Sequence, residues 1–71
     1  MEISEIKVGE VYRGISGCTK KVLNIENGES KAKTVTAVIL RRGTGRGNHR
    51  PVGTVGRVEL ATFAVWAVGK E

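Results

Sequence analysis

The sequence predicts a mainly β fold, an antiparallel sheet of four to five short strands with one short C-terminal helix. Apolar runs rich in β-branched residues alternate with glycine-rich or polar stretches, a pattern typical of antiparallel sheets. Ten of the 71 residues are glycine, and the clearest helical spacing falls in residues 60–68. A chain of this length forms one domain, residues 1–71, and buries only ~60% of its unfolded surface, so its core is small.

Residues 33–42 form the clearest predicted strand, because five of their ten side chains are β-branched and suit a pleated surface. Val35, Ala37 and Ile39 would share one face, and the alternate residues as far as Leu40 would share the other. Since both faces are partly apolar, we expect this strand to lie inside the sheet.

The N-terminal part predicts one weaker strand. Residues 8–12 alternate weakly between apolar and polar. Before them, the spacing of Ile3 and Ile6 fits either one helical turn or an extended lead-in. Residues 14–17 predict a turn, because two glycines in four residues weaken any regular element.

Residues 19–27 predict a further strand, in which Leu23 and Ile25 are the candidates for the inward face. Asn27-Gly28 is the strongest short turn signal of the chain and favours a tight reversal. Because residues 29–32 are polar, a longer loop is the alternative.

Residues 55–60 predict another strand, and residues 61–68 fit two interpretations. As a helix, the segment would begin with Thr62 as its cap, end at Gly69 and form a stripe. As a strand, Phe63, Val65 and Ala67 would alternate with the residues between them. The alanines, the cap and the glycine favour a short helix. The stripe of that helix would consist of Leu60, Phe63, Ala64 and Ala67.

At this length the sheet can close as a small SH3-like barrel or stay a strongly bent antiparallel sheet. The segment Val-Gly-Glu-Val-Tyr-Arg-Gly at 8–14, followed by Lys-Val-Leu-Asn-Ile-Glu-Asn-Gly at 21–28, resembles the opening hairpin of SH3-like barrels, including the KOW type.

Most of the chain also resembles small uncharacterised proteins of bacteriophages and prophages. Those chains open with Val-Gly-x-x-Tyr, continue with a Lys-Val-Leu-x-Ile strand and close with Leu-x-x-Phe-Ala-x-Trp-Ala, which stands here at residues 60–67. The resemblance implies a phage-encoded accessory protein in the cytoplasm of a bacterial host, and it implies no activity. The basic loop described next is not part of that pattern.

A glycine-rich basic loop at residues 41–53 separates the two C-terminal apolar segments. Five arginines lie between residues 41 and 57 without one Asp or Glu among them. Residues 13–58 as a whole contain ten basic and two acidic side chains, a net charge of +8. Such an asymmetric distribution favours an anionic partner, with a solvated basic surface as the simpler alternative.

The sequence favours a binding protein over an enzyme. His49 is the only histidine and has no acid close in sequence to orient it, and Cys18 is the only cysteine. No cofactor motif or metal-ligand spacing is present, so we expect neither a cofactor nor a metal. The lone thiol, the acidic N-terminal start and the absence of a long apolar run predict a soluble cytoplasmic protein without a membrane contact.

Nucleic acid is the favoured partner. Guanidinium and ammonium groups can follow a phosphate backbone and release its counterions. We expect Phe63 and Trp66 in the core, which leaves only Tyr12 for base stacking and favours duplex DNA or structured RNA over single strands. The predicted contact residues are Arg41, Arg42, Arg46, Arg50 and Arg57, with Lys20 and Lys21 as further contacts.

The alternative is a phage-encoded protein-binding regulator or inhibitor of a host protein. The same arginine loop could order on an acidic host surface, and an exposed edge strand could extend a partner's sheet. A homo-oligomer is also open, because a small core without disulfides gains stability from association.

Overall fold

The structure, a computed structural model, describes residues 1–28, 32–44 and 50–71. Its elements are, in chain order, a 3₁₀ turn (Ile3–Glu5), β1 (Val11–Gly14), β2 (Thr19–Asn27), β3 (Lys33–Arg41), β4 (Val55–Glu59), α1 (Leu60–Trp66) and β5 (Ala67–Lys70). No helix of the described residues is long and apolar enough to cross a membrane.

The five strands form one antiparallel sheet in the order β4-β3-β2-β1-β5. The predicted fold class is therefore confirmed: mainly β, with five strands and a short helix near the C-terminus. The described ladders leave β4 and β5 as the two edges, so the sheet is open. β3 lies inside the sheet, as its two partly apolar faces predict.

The helix α1 packs on one face of the sheet, which we call the inner face. Its predicted apolar stripe is correct, because Leu60, Phe63 and Ala64 are buried and Ala67 is buried directly after the helix. The predicted ends are wrong. Glu59 precedes the helix without a side-chain cap, and Gly69 lies in β5. The helix ends at Trp66 because the next residues pair with β1.

The core under α1 contains Tyr12, Val22 and Val35, each fully buried. Tyr12 contacts Phe63 edge to face, with ring centroids 5.8 Å apart. Its hydroxyl donates to the carbonyl of Glu5 at 2.8 Å and accepts from the amide of Lys7 at 2.7 Å. The buried phenol is thus fully hydrogen-bonded, and it fixes the segment before β1 against the core.

A β-bulge at Leu23 changes which side chains of β2 point inward. Val22 pairs with Ala37 and Asn24 pairs with Thr36, so Leu23 is the extra residue between them. The bulge reverses the alternation and brings both Val22 and Ile25 to the inner face. Val22 is 0% exposed and Leu23 44%. The prediction of Leu23 as an inward residue is therefore wrong, whereas Ile25 is partly buried against the core.

Three connections differ from or refine the predictions. Of the two alternatives for the N-terminal segment, the helical turn is correct, because Ile3–Glu5 forms a 3₁₀ turn. β1 begins at Val11 instead of Val8, because the chain turns at Gly9, where φ is 88°. The β2–β3 connection follows the longer alternative, with the Gly28 amide donating to the Ala32 carbonyl at 2.7 Å, and residues 29–31 lie outside the described part.

The bulge predicts that alanine substitutions at Val22 and Leu23 have different effects on stability. Val22→Ala removes buried methyl groups and should lower the free energy of unfolding by about 1–3 kcal/mol. Leu23→Ala changes a half-exposed side chain and should cost about 0.5 kcal/mol or less. Urea denaturation of both variants measures the difference, and a larger cost for Leu23→Ala would place the bulge elsewhere.

Candidate functional site

The short helix covers only one end of the inner face, and a cleft of about 400 Å³ lies at the other end. Its apolar lining comes from two strands and the helix, because Ala37 and Ile39 of β3 and Val58 of β4 meet Phe63 and Trp66 of α1. A seven-residue helix is too short to cover a sheet whose longest strands have nine residues.

The pairing of the strands explains which side chains face the cleft. Lys20 pairs with Ile39, and Ala37 pairs with Gly56. These residues lie on the same side of the sheet as the buried Val22, because side chains two apart in a strand share a face. Ala37 and Gly56 are small, and their facing positions leave the space that forms the cleft.

Trp66 forms one wall of the cleft and is held from two sides. Its ring centroid lies 5.2 Å from that of Phe63. A Cβ atom at Gly14 would lie 2.5 Å from the indole Nε1, so only glycine leaves room for the ring beside β1. The ammonium of Lys20 lies 4.6 Å from the centroid of the indole, in a cation–π contact at the mouth of the cleft.

Two arginines of the basic loop also line the cleft. Arg42 follows β3 directly, and Arg50 lies where the chain returns toward β4. The guanidinium Nη1 of Arg50 would be 3.6 Å from a Cβ placed on Gly56, so this group lies over the inner face of β4. The two described arms of the loop, residues 42–44 and 50–54, thus each bring a cation to the same cleft.

Backbone hydrogen bonds anchor the two arms. The Thr44 amide donates to the Ser16 carbonyl at 2.9 Å, which fixes the first arm against the β1–β2 turn. The Gly53 amide donates to the Ile39 carbonyl at 2.8 Å, which fixes the second arm beside β3. Residues 45–49 between the arms, which include the predicted contact Arg46 and the histidine His49, lie outside the described residues.

The other predicted contact residues of the described part are in ion pairs or lie outside the cleft. Arg41 forms an ion pair with Glu71 at 3.1 Å, and Arg57 pairs with Glu26 at 2.8 Å. Arg57 is also among the residues that line the cleft, but its side chain alternates with Gly56 and Val58 along β4, and its guanidinium is held by Glu26. Lys21 pairs with Val11 and Val38, away from the cleft. These ion pairs are exposed and contribute little to stability.

The described carboxylates are not part of the lining of the cleft. Glu71 also approaches Arg13 at 3.9 Å, and Glu10 pairs with Lys70 at 3.3 Å. No Asp or Glu is among the described residues that line the cleft, where Lys20, Arg42 and Arg50 meet. The cleft is therefore a locally cationic site with an apolar floor.

The expectation for the aromatic rings was partly wrong. Tyr12, expected to be available for stacking, is fully buried, whereas Trp66, expected in the core, is only partly buried and lines the cleft. Phe63 is buried as expected. Gly14, on the same face as Tyr12, was the available signal, because a glycine inside a strand often marks the close approach of a large group.

Searches for similar proteins found no family model, curated protein or solved structure that matches the chain. Within residues 1–28, 32–44 and 50–71, no group of three or more His, Cys, Asp or Glu side chains could hold a metal ion. The support for the candidate site therefore comes from its geometry alone.

The contact between Gly14 and Trp66 predicts the effect of one methyl group. Gly14→Ala forces the indole to move and should cost about 1–3 kcal/mol of stability by overpacking. The emission of Trp66, the only tryptophan, should shift with it. Fluorescence-detected urea denaturation measures both effects.

Gly56→Ala is the matched control, because its Cβ would meet only Arg50, at the ordinary contact distance of 3.6 Å. We expect this variant to be as stable as the parent or more stable by up to about 1 kcal/mol, since glycine weakens a strand. Equal stability of the two variants would contradict the close packing at Gly14.

Proposed function

We propose that this protein is a small non-enzymatic module that binds nucleic acid electrostatically, with its phosphate contacts at the cleft. One observation carries the proposal: Lys20, Arg42 and Arg50 converge on a cleft whose described lining contains no carboxylate. Glu26 and Glu71 form ion pairs with Arg57 and Arg41.

Convergence of three cations favours a polyanion. Each phosphate that a Lys or Arg neutralises releases a condensed counterion, so affinity rises with the number of contacts and falls with salt. The guanidinium groups of Arg42 and Arg50 can each hold two phosphate oxygens, whereas Lys20 acts as a point charge. Arg46 stays a predicted contact, because it lies in the chain between the two anchored arms.

The remaining predicted residues have smaller roles in this proposal. Arg41 and Arg57 must leave or share their carboxylate partners before they contact phosphate. Lys21 lies on the opposite face and contributes to the general attraction of a polyanion without a contact in the cleft. The bacteriophage origin and the bacterial cytoplasm that the sequence resemblance implies are part of the same proposal.

A protein partner is the second candidate, favoured by the open edge at β4. Val55–Glu59 pairs only with β3 in the described sheet, so its other side can accept a strand from a host protein. An acidic host surface would use the same three cations. Such a complex would resist nuclease, whereas a complex formed through nucleic acid would not.

Two adjacent lysines provide the test of the cleft. Lys20→Gln should weaken binding to duplex DNA and structured RNA, and it should reduce the slope of log affinity against log salt by about 0.9, the value for one lost phosphate contact on B-DNA. Lys21→Gln removes the same charge from the opposite face and should leave the slope unchanged. Fluorescence anisotropy of labelled nucleic acids across a salt series gives both slopes.

Equal effects of the two variants would contradict a localised site and indicate general surface charge. Failure of the parent protein to bind either nucleic acid at low salt would overturn the proposed function and leave the protein partner. Urea denaturation of Lys20→Gln separates lost binding from lost stability, because this change also removes the cation–π contact with Trp66.

A further inference from the structure

We infer that the cleft takes a single unpaired nucleotide, with its base on the apolar floor and its phosphate at the three cations. The inference rests on the proposed function, since both use Lys20, Arg42 and Arg50. It goes further by naming the part of the nucleic acid that enters the cleft. It also departs from the sequence-based preference for duplex or structured RNA, because a partly accessible ring now borders the site.

The composition of the lining fits a ligand that has both an anionic and an apolar part. Contacts with a duplex backbone need cations and hydrogen-bond donors, and they do not need an apolar floor. An unpaired nucleotide carries its flat base next to its phosphate and can present both at once. Ala37, Ile39 and Val58 provide the floor within the same cleft as the cations.

The dimensions of the cleft agree with one small ligand. A volume of about 400 Å³ lies within the range of ordinary small-ligand pockets, roughly 300–1,000 Å³. The space exists because Ala37 and Gly56 face each other across β3 and β4. Larger side chains at this pair of positions would fill the floor, as side chains do at the covered end of the sheet.

The groups around the floor match the two halves of a nucleotide. Trp66 borders the floor on the helix side, where an aromatic ring can contact a base. Lys20 lies over that ring, and its ammonium can turn from the indole to a phosphate at the mouth of the cleft. Arg50 lies over Gly56 on the opposite side, so the cations border the space that the base would occupy.

Gly56→Leu tests the inference without changing any charge. A leucine at this position projects into the cleft, because Gly56 pairs with the inward-facing Ala37. Val55→Leu is the matched control, since it enlarges the adjacent residue on the outer face of the same strand. Gly56→Val is a second filling variant, with a side chain that suits a strand.

The probes are a short oligo-dT strand, thymidine monophosphate, a hairpin duplex and inorganic phosphate. Quenching of Trp66, the only tryptophan, reports occupation of the cleft, and anisotropy reports affinity. We expect oligo-dT to quench saturably and to bind at least tenfold tighter than the duplex. Gly56→Leu should abolish that preference, because it lowers the affinity for oligo-dT more than the affinity for the duplex, and Val55→Leu should change neither affinity.

The outcomes separate the two proposals. Equal binding of oligo-dT and duplex by the parent, unaffected by Gly56→Leu, would overturn the nucleotide site and leave the electrostatic function standing. No binding of any nucleic acid at low salt would overturn both. Saturable quenching by thymidine monophosphate as tight as that by oligo-dT would support the site and identify a free nucleotide as its ligand. Quenching by inorganic phosphate alone would contradict a role for the base.

Discussion

The three aromatic side chains of this protein contact one another in a row, and the arrangement of the helix depends on that row. Tyr12 of β1 lies against Phe63, and Phe63 lies against Trp66 at the end of α1. The first ring is fully buried and hydrogen-bonded, the second fills the core, and the third reaches the cleft. Because the helix is held to β1 through these rings, its last turn stops over one end of the sheet and leaves the other end uncovered.

The charged side chains are distributed unevenly over the sheet. Exposed ion pairs join Arg57 to Glu26, and they join Lys70 to Glu10 near the chain's C-terminal strand. Three cations meet at the uncovered end of the inner face, from β2 and from both arms of the basic loop. A site of this kind needs no deeply buried charge, because its cations keep access to water until an anion replaces it. Because the helix ends where the chain pairs with β1, it leaves uncovered the surface that a ligand can occupy.

Local patterns in the sequence predicted four of the five strands and the helix, whereas β5 (Ala67–Lys70) and the pairing of the strands depend on long-range contacts. Residues 19–27 and the buried stripe of the helix follow from spacing along the chain. The bulge at Leu23 does not, because it arises from the pairing of β2 with β3. The exchange of roles between Tyr12 and Trp66 also depends on contacts between distant elements. The cleft was only partly predictable: the arginine-rich loop was visible as a candidate, whereas the neighbouring positions of Ile39 and Gly56 follow only from the register of the sheet.

Methyl and indole NMR of the protein during titration with oligo-dT tests the central claim most directly, because neighbouring residues report on opposite faces of one sheet. Ile39 and the Trp66 indole N–H lie at the cleft, whereas Val38 and Val55 pair on the outer face. We predict that the signals of Ile39 and Trp66 shift during the titration and that the methyl signals of Val38 and Val55 stay in place. Shifts confined to Val38 and Val55, with the cleft signals unchanged, would contradict the account.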